Sequence, residues 1–329
     1  MLNKELIELL KNSKNLLAFS AGGDSTALLH ILLENQITFD IAIVDYGVRK
    51  QSKDEVAYAR ELAQLHGLTC FVKTAPKIEK NFEAQARTIR YDFFETLIER
   101  NGYENLLTAH HLGDRLEWFL MQFCKGSGAV ELSGMQEIES RENYKLVRPL
   151  LDMEKKELLA YLNAKEILYF EDESNEDQTY KRNYFRHNYA QPLLENYAKG
   201  IKKSFEYMTA DKERLIKEYP ISHLKELHYF QYDDQRAKQF TVDRYLKTQG
   251  HMITASEKRA LLEEQENVIG RKYLVSQTDT YCFIAPYKTG IQIPKELKER
   301  FRVLKVPVKL RAYLAEDEEL VALVSSLLQ

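Results

Sequence analysis

Over its first 150 residues the chain alternates short apolar, β-prone runs with stretches whose apolar residues recur every three or four positions. That alternation is the signature of parallel strands joined by crossover helices, with helices on both faces of one sheet. The strands are predicted at Leu16–Phe19, Ile41–Val44, Cys70–Val72, Leu106–Ala109 and Lys145–Val147. Helices are predicted near Ser25–Glu34, Ser52–His66, Phe82–Arg100 and Leu112–Phe123. The expectation is an α/β fold with a doubly wound, mostly parallel, five-stranded sheet. In such sheets ligands bind beyond the carboxyl ends of the strands, so the strand-to-helix turns are where chemistry is to be sought.

After Pro149 the pattern becomes helical, with Met153–Ala164 amphipathic. A polar stretch from Glu171 to Asn188 follows, and from Ile201 to about Leu262 the reading is helical again. Short β-prone runs come next at Arg271–Val275 and Thr280–Ile284. A domain boundary is therefore expected near 200, separating 1–200 from a smaller, mainly helical domain with short strands at 201–329. Charge divides along the same line: 25 basic and 31 acidic residues precede the boundary, 22 and 19 follow it, so the basic excess lies in the second part. Cys70, Cys124 and Cys282 are odd in number and far apart, which excludes a disulfide framework and a cysteine-based zinc site. No apolar run approaches the length of a membrane span and no signal-peptide pattern opens the chain, so a cytoplasmic protein without a membrane partner is expected. Nothing in the sequence calls for an obligate protein partner.

The segment Ser20-Ala21-Gly22-Gly23-Asp24-Ser25 lies between a strand and a helix. Small residues allow a tight turn and close approach of a ligand, and the first N–H groups of the helix lack internal partners, so phosphate oxygens fit there. Asp24 can hold a cation beside them. The same residues also suit an ordinary capped turn. Neither G-x-x-x-x-G-K-[ST] nor G-x-G-x-x-G is present, which excludes a P-loop kinase and a Rossmann dehydrogenase. A second group, Thr108-Ala109-His110-His111-Leu112-Gly113-Asp114-Arg115-Leu116-Glu117, places Asp114 and Glu117 three apart on one helical face, suited to Mg²⁺ or an ammonium group. Acidic residues also favour helix starts for dipole reasons, and the histidines can simply cap or pack.

The Ser20–Ser25 hexapeptide resembles the S-G-G-x-D-S loop of the N-type ATP pyrophosphatases. In one branch of that superfamily, the tRNA(Ile)-lysidine synthetases, further motifs occur in the same order as here. His110–Glu117 is similar to H-H-x-D-D-Q-x-E, Lys125-Gly126-Ser127-Gly128 to R-G-S-G, Leu132–Met135 to L-x-G-M, and Arg148–Leu151 to R-P-L-L. Glu83-Ala84-Gln85-Ala86-Arg87 with Arg90-Tyr91 resembles E-x-x-A-R-x-x-R-Y. Asp172–Asn175 and Arg182-Asn183-Tyr184-Phe185-Arg186 resemble D-x-S-N and R-N-x-x-R within a basic, Asn-rich loop. The likeness is close over about 16–195 and loose beyond 200. Departures are Ala21 for the first loop glycine, Gly113 for the first aspartate, Arg115 and Trp118 for Gln and Thr, and Asp45-Tyr46-Gly47-Val48-Arg49 for N-H-G-L-R. Tyr46 is thereby a candidate to stack on adenine.

The resemblance implies an adenine-nucleotide alpha-hydrolase-like sheet and an ATP-dependent ligase. Its substrates would be free L-lysine and tRNA(Ile) with a CAU anticodon. The cytosine C2 oxygen attacks the α-phosphate and releases pyrophosphate; the lysine side-chain amine then displaces AMP. It implies ATP binding by Ser20, Ala21, Gly22, Gly23, Asp24 and Ser25, and Mg²⁺ on Asp24 and Asp114. Catalytic roles would fall to Asp24, Asp114, Glu117, Arg87, Arg90, Arg182 and Arg186, and tRNA contacts to Lys181, Arg182, Asn183 and Arg186. Two other readings are a tRNA thiolase of the same superfamily, disfavoured by the lack of a C-x-x-C pair, and a nucleotide- or RNA-binding module without turnover. The second domain would grip tRNA, since 291–315 holds seven basic residues against Glu296 and Glu299. Glu316–Glu319 follow at once and would offset that charge if they paired with it.

Overall fold

The computed structural model describes residues 2–47, 51–141, 143–171, 180–215 and 217–329. Two compact units divide between Arg214 and Leu215. The helix Gln191–Leu215 runs through position 200, so the divide lies later than the composition suggested.

In chain order the first unit comprises α1 (Lys4–Lys11), β1 (Asn15–Ala18), α2 (Gly23–Glu34), β2 (Phe39–Asp45), α3 (Ser52–His66), β3 (Cys70–Thr74), α4 (Phe82–Asn101) and β4 (Asn105–Leu107). It continues with α5 (Leu112–Phe123), α6 (Ala129–Leu132), β5 (Ile138–Ser140), β6 (Lys145–Val147), α7 (Lys155–Ala164), α8 (Lys181–Phe185), a π-helical turn (Arg186–Ala190) and α9 (Gln191–Leu215). The sheet order is β3-β2-β1-β4-β6-β5. The five expected strands pair in parallel, and a sixth, β5, joins the edge antiparallel to β6. Only Ile138 is a strong apolar β-former in Ile138-Glu139-Ser140, and an edge strand this short carries no readable alternation.

Period-two alternation explains how the sheet buries both faces. Leu17, Ile41, Ile43, Leu107 and Val147 pack with α2 and α7 residues, whereas Leu16, Ala42, Leu106 and Leu146 meet Phe94, Leu97 and Ile98 of α4. Chain order reverses on either side of β1, so the ends of β1 and β4 form the switch point where this architecture binds ligands. Both motif-bearing turns leave from those two strands.

The second unit is a five-stranded antiparallel sheet, order β7-β8-β11-β10-β9, built from β7 (Ser222–Leu224), β8 (Leu227–Gln231), β9 (Glu266–Ile269), β10 (Tyr273–Gln277) and β11 (Tyr281–Pro286). Helices α10 (Gln235–Thr248) and α11 (Ala255–Glu263) contribute Val242, Leu246 and Leu261 to one core. Helices α12 (Lys295–Val303), α13 (Leu310–Leu314) and α14 (Glu318–Leu327) contribute Phe301, Leu310 and Val324 to the other. The region read as continuously helical up to Leu262 therefore holds the β7–β8 hairpin. Its strands flank Lys225 and Glu226, with Lys225 in the left-handed region (φ 55°), and these charged turn residues hide the hairpin from a periodicity reading.

Candidate active site

The β1–α2 turn is held open by its own backbone. Ala21 adopts φ 59°, a left-handed conformation that suits glycine and costs a side chain about 1–2 kcal/mol. This is the position where the pyrophosphatase loop has its first glycine. The Phe170 N–H donates to Ala21 O (3.0 Å) and Thr26 Oγ1 donates to the same carbonyl (3.3 Å), which anchors the strained residue. Gly22 is the N-cap of α2 and offers no side-chain acceptor to the first turn. Ser25 Oγ instead accepts from the Ser20 N–H (3.2 Å) and donates to Gly22 O (3.0 Å), closing the turn on itself. At Gly23 an added Cβ would lie 3.0 Å from Leu159 Cδ2 and 3.4 Å from Tyr169, so helix and loop approach closely there.

Asp24 opens toward the second motif. Its Oδ1 is buried without a hydrogen-bond partner, and burial pushes its carboxyl above the usual carboxylate range, partly offset by His111 and Lys155. The β4–α5 turn supplies the other half. His111 is the N-cap of α5: its Nδ1 accepts from the Gly113 N–H (3.0 Å), and its own N–H donates to Asp114 Oδ2 (2.9 Å). With Nδ1 an acceptor, the ring proton sits on Nε2, which lies 3.8 Å from Asp24 Oδ2 and 3.6 Å from Asp114 Oδ2. One imidazole thus spans the carboxylates of both motifs. A Cβ on residue 113 would lie 2.7 Å from His111 Cε1, so the Gly113 departure leaves room for the ring to fold over the helix start.

Asp114 and Glu117 are indeed on one face of α5, but that face is taken by two guanidinium groups. Arg182 donates from Nε to Glu117 Oε2 (2.9 Å) and from a terminal nitrogen to Asp114 Oδ1 (2.6 Å). Arg186 donates from Nε to Glu117 Oε1 (2.6 Å) and from a terminal nitrogen to Oε2 (3.2 Å). Glu117 is 1% exposed. Burial works against ionisation of Asp114, yet His111, Arg182 and His110, with the hydrogen bond from the His111 backbone N–H, hold its carboxyl well below the usual range. Burial pulls His110 down to about 4, against the attraction of Asp114, so it is neutral at pH 7; its Nδ1 pairs with Thr108 Oγ1 at 2.9 Å.

Several expectations change in consequence. Lys181–Phe185 and the π turn are helical where a basic loop was expected, because Arg182 and Arg186, four apart, reach the α5 carboxylates from one face. These two arginines turn toward the α5 carboxylates and Asn183 is buried; Lys181 alone of the four expected tRNA contacts is exposed. Arg87 is exposed and stacks on Tyr91 (4.6 Å), with its charge felt at His110; Arg90 is exposed and felt at Tyr46. Neither touches the carboxylates. The Tyr46 hydroxyl donates to Ala86 O (3.1 Å) and its ring meets Phe82 edge-on. Arg115 pairs with Asp152 (2.9 Å), donates to Thr209 Oγ1 (2.9 Å) and stacks on Phe205, tying α5 to α9. Asp172–Asn175 and the end of Asp45–Arg49, at 48–49, lie outside the described residues.

Sequence reasoning did not assign His110, His111 or Lys155 to the site. The paired histidines before a helix were the available signal; Lys155, one position into α7, carries none.

Among the described residues no group of three or more His, Cys, Asp or Glu is placed to hold a metal by itself. Mg²⁺ does not need one, since it binds through one or two carboxylates together with substrate phosphates and water. The unpartnered Asp24 Oδ1 fits that mode. Both Asp114 oxygens already accept hydrogen bonds, so Asp24 is the better ligand of the expected pair.

Residues 2–193 match the PP-loop domain family. The tRNA(Ile)-lysidine synthase of Helicobacter pylori is 43% identical over 314 residues, spanning 94% of this chain and 91% of that one. The tRNA(Ile)-lysidine synthase of Campylobacter jejuni is 40% identical over 310 residues, spanning 94% and 95%. Among solved structures, the U34-tRNA thiolase NcsA of Methanococcus maripaludis superposes with a TM-score of 0.54 at 17% identity, covering 65% of this chain and 76% of that chain. This last likeness speaks to the fold alone.

Proposed function

The chain belongs to the tRNA(Ile)-lysidine synthase family, and from that premise we propose how the His111-spanned pocket divides the labour of ATP-dependent lysidine formation on tRNA(Ile). The observation that carries this reading is the meeting of the two motifs: the Ser20–Ser25 turn and the α5 carboxylates share one histidine at the switch point.

In the first half-reaction the C2 oxygen of the wobble cytidine of a CAU anticodon forms a bond to the α-phosphorus, and the α–β phosphoanhydride bond breaks. The turn's backbone N–H groups and hydroxyls, with Lys155 at the mouth of α7, receive the phosphates and the departing pyrophosphate. Mg²⁺ bound at Asp24 would supply charge neutralisation on the phosphate oxygens. In the second half-reaction the lysine side-chain nitrogen bonds to C2, the C2–O bond breaks, AMP leaves and one proton is lost.

Free lysine carries its side-chain proton with a pKa near ~10.4, so a carboxylate must orient the ammonium and take that proton. Asp114 is the better candidate to orient the ammonium, because it stays ionised and stands beside Asp24. Glu117, buried and held by both arginines, acts through them: it sets the guanidinium groups of Arg182 and Arg186 beside the reacting phosphate. Replacing the family's first aspartate by Gly113 leaves this arrangement intact, since the hydrogen bonds run through Asp114. The second unit grips the tRNA body, and the reaction takes place in the cytoplasm; no helix among the described residues is long and apolar enough to cross a membrane.

Incubation with transcribed tRNA(Ile), lysine and ATP tests this reading. AMP and pyrophosphate should appear together and depend on tRNA. ADP as the tRNA-dependent product would contradict it, because no P-loop lysine is present to support γ-phosphoryl transfer.

A further inference from the structure

The π-helical turn after α8 does more than carry Arg186. In an α-helix, residues five apart lie about 140° away from each other around the axis, so Tyr184 and Tyr189 would face different directions. A π turn, with i to i+5 hydrogen bonding, stacks such residues above one another. Here the Tyr184 and Tyr189 rings are 5.9 Å apart, and Phe185 lies 5.4 Å from Tyr189 and 6.3 Å from Tyr184. Tyr184 and Tyr189 are each 44% exposed. One segment therefore turns two arginines toward the α5 carboxylates and an aromatic cluster toward solvent.

The run that carries the cluster is basic in sequence. Between Tyr180 and Phe205 the chain carries six basic residues against Glu195; Arg182 and Arg186 turn to the α5 carboxylates and Lys203 pairs with Glu206, which leaves Lys181, Lys199 and Lys202 as exposed cations along the run. Lys181 lies over the Phe185 ring at 6.0 Å, and Tyr180 and Tyr197 are also exposed on this run. Aromatic faces interleaved with exposed cations are what unpaired nucleotides require: the rings stack on bases and the ammonium groups meet the phosphates between them.

We propose that Tyr184, Phe185 and Tyr189 form a stacking platform for unpaired anticodon-loop bases flanking the target cytidine. The platform rests on the tRNA(Ile) reading and deepens it. A cytosine inside a stacked loop has its reacting edge shielded, and stacking its neighbours on protein rings lets it leave the stack. The helix that carries the rings also carries Arg182 and Arg186, so seating the loop on one side and presenting the reacting arginines on the other are the work of a single element.

The test uses an anticodon stem-loop with a fluorescent base analogue next to the wobble cytidine, and the full chain carrying Tyr184→Ala and Tyr189→Ala. Stem-loop affinity should fall roughly ten- to hundredfold and the stacking quench should vanish. The KM for ATP and the melting temperature should stay unchanged. The Tyr184→Phe, Tyr189→Phe chain, which keeps the rings, should bind and quench like the wild type. Wild-type affinity in the alanine variant, or a quench that survives it, would overturn the platform. A change in oligomeric state of the alanine variant with RNA binding intact would overturn it too, by making the patch a self-association face. If the wild type makes no lysidine yet shows the ring-dependent quench, the catalytic reading fails and the platform stands.

Discussion

The two units differ in where they place buried charge. In the first, Asp114, Glu117, Arg182 and Arg186 are drawn from two helices into one cluster beside an unpartnered Asp24 oxygen. In the second, Lys238, the most deeply buried cation among the described residues, donates to Gln235 Oε1 (2.6 Å) and the Leu261 carbonyl (2.9 Å), and burial lowers its pKa. Neutral oxygens satisfy it, and among the described residues no carboxylate pairs with it. Asp243 of α10 is also buried, pairs with Lys247 and Lys258 and keeps an unpartnered Oδ1. What marks the first cluster as a ligand site is therefore its place at the sheet's switch point and not the leftover oxygen alone.

The surfaces differ as well. The acidic run after Ala315 does not neutralise the basic residues before it. Glu316 pairs with Lys288, while Asp317 and Glu319 pair with Lys225. Asp317 also caps α14. Among the described residues no carboxylate pairs with Lys295, Lys298, Arg300 or Lys305, which leaves α12 and its C-terminal end as a basic face. Lys309 and Arg311 are committed differently: Lys309 donates its N–H to Glu266 and Arg311 donates to Val306 O.

The sharpest way to break the comparison is at Asp24. Asp24→Asn should lower lysidine formation by about 100- to 1000-fold, since it removes charge from the phosphate site. Its melting temperature should hold or rise, because the desolvated carboxylate contributes nothing to the fold; steady-state turnover and thermal melts together check this. Glu117→Gln should act on both quantities. It leaves two guanidinium groups without their main partner and should cost about 2–4 kcal/mol by chemical denaturation alongside most of the activity. A stable, inactive variant would instead return Glu117 to direct contact with the lysine ammonium.

The pH dependence comes next. His110 titrates at about 4 when folded against 6.5 when unfolded. The unfolded state therefore binds the extra proton between those values, so stability falls as pH drops through that window. The loss at the acid end should be of the order of 1–3 kcal/mol, and His110→Gln should flatten this part of the curve. Asp114, lowered when folded, adds its own loss only as pH falls below the ordinary carboxylate range. The smallest effect belongs to the second unit. Replacing Lys295, Lys298 and Lys305 with Ala should reduce the slope of log affinity for tRNA against log salt by about two or three, with ATP affinity and stability unaltered. An unchanged slope would place the tRNA grip elsewhere.

Much of the first unit was legible because β1, β2 and β4 are largely buried apolar runs, with the half-buried β3 and the short β6 still rich in apolar and β-prone residues and helices between them. The motifs were legible because turns at strand ends need particular small and charged residues. The pairing of Glu117 with Arg182 and Arg186 was not, since residues more than sixty positions apart meet only through the fold. His111 escaped notice as a site residue because a histidine before a helix reads equally well as a cap, which it also is. The β7–β8 hairpin was hidden by Lys225 and Glu226, whose charges break the apolar pattern where the chain reverses.

The most direct test of the account follows one oxygen atom. With a heavy-oxygen label at C2 of the wobble cytidine, attack on the α-phosphorus and later displacement by lysine must carry the label into the phosphate group of AMP. The account predicts labelled AMP, unlabelled pyrophosphate and one lysine joined per AMP released. Label appearing in water or in pyrophosphate, with unlabelled AMP, would contradict it.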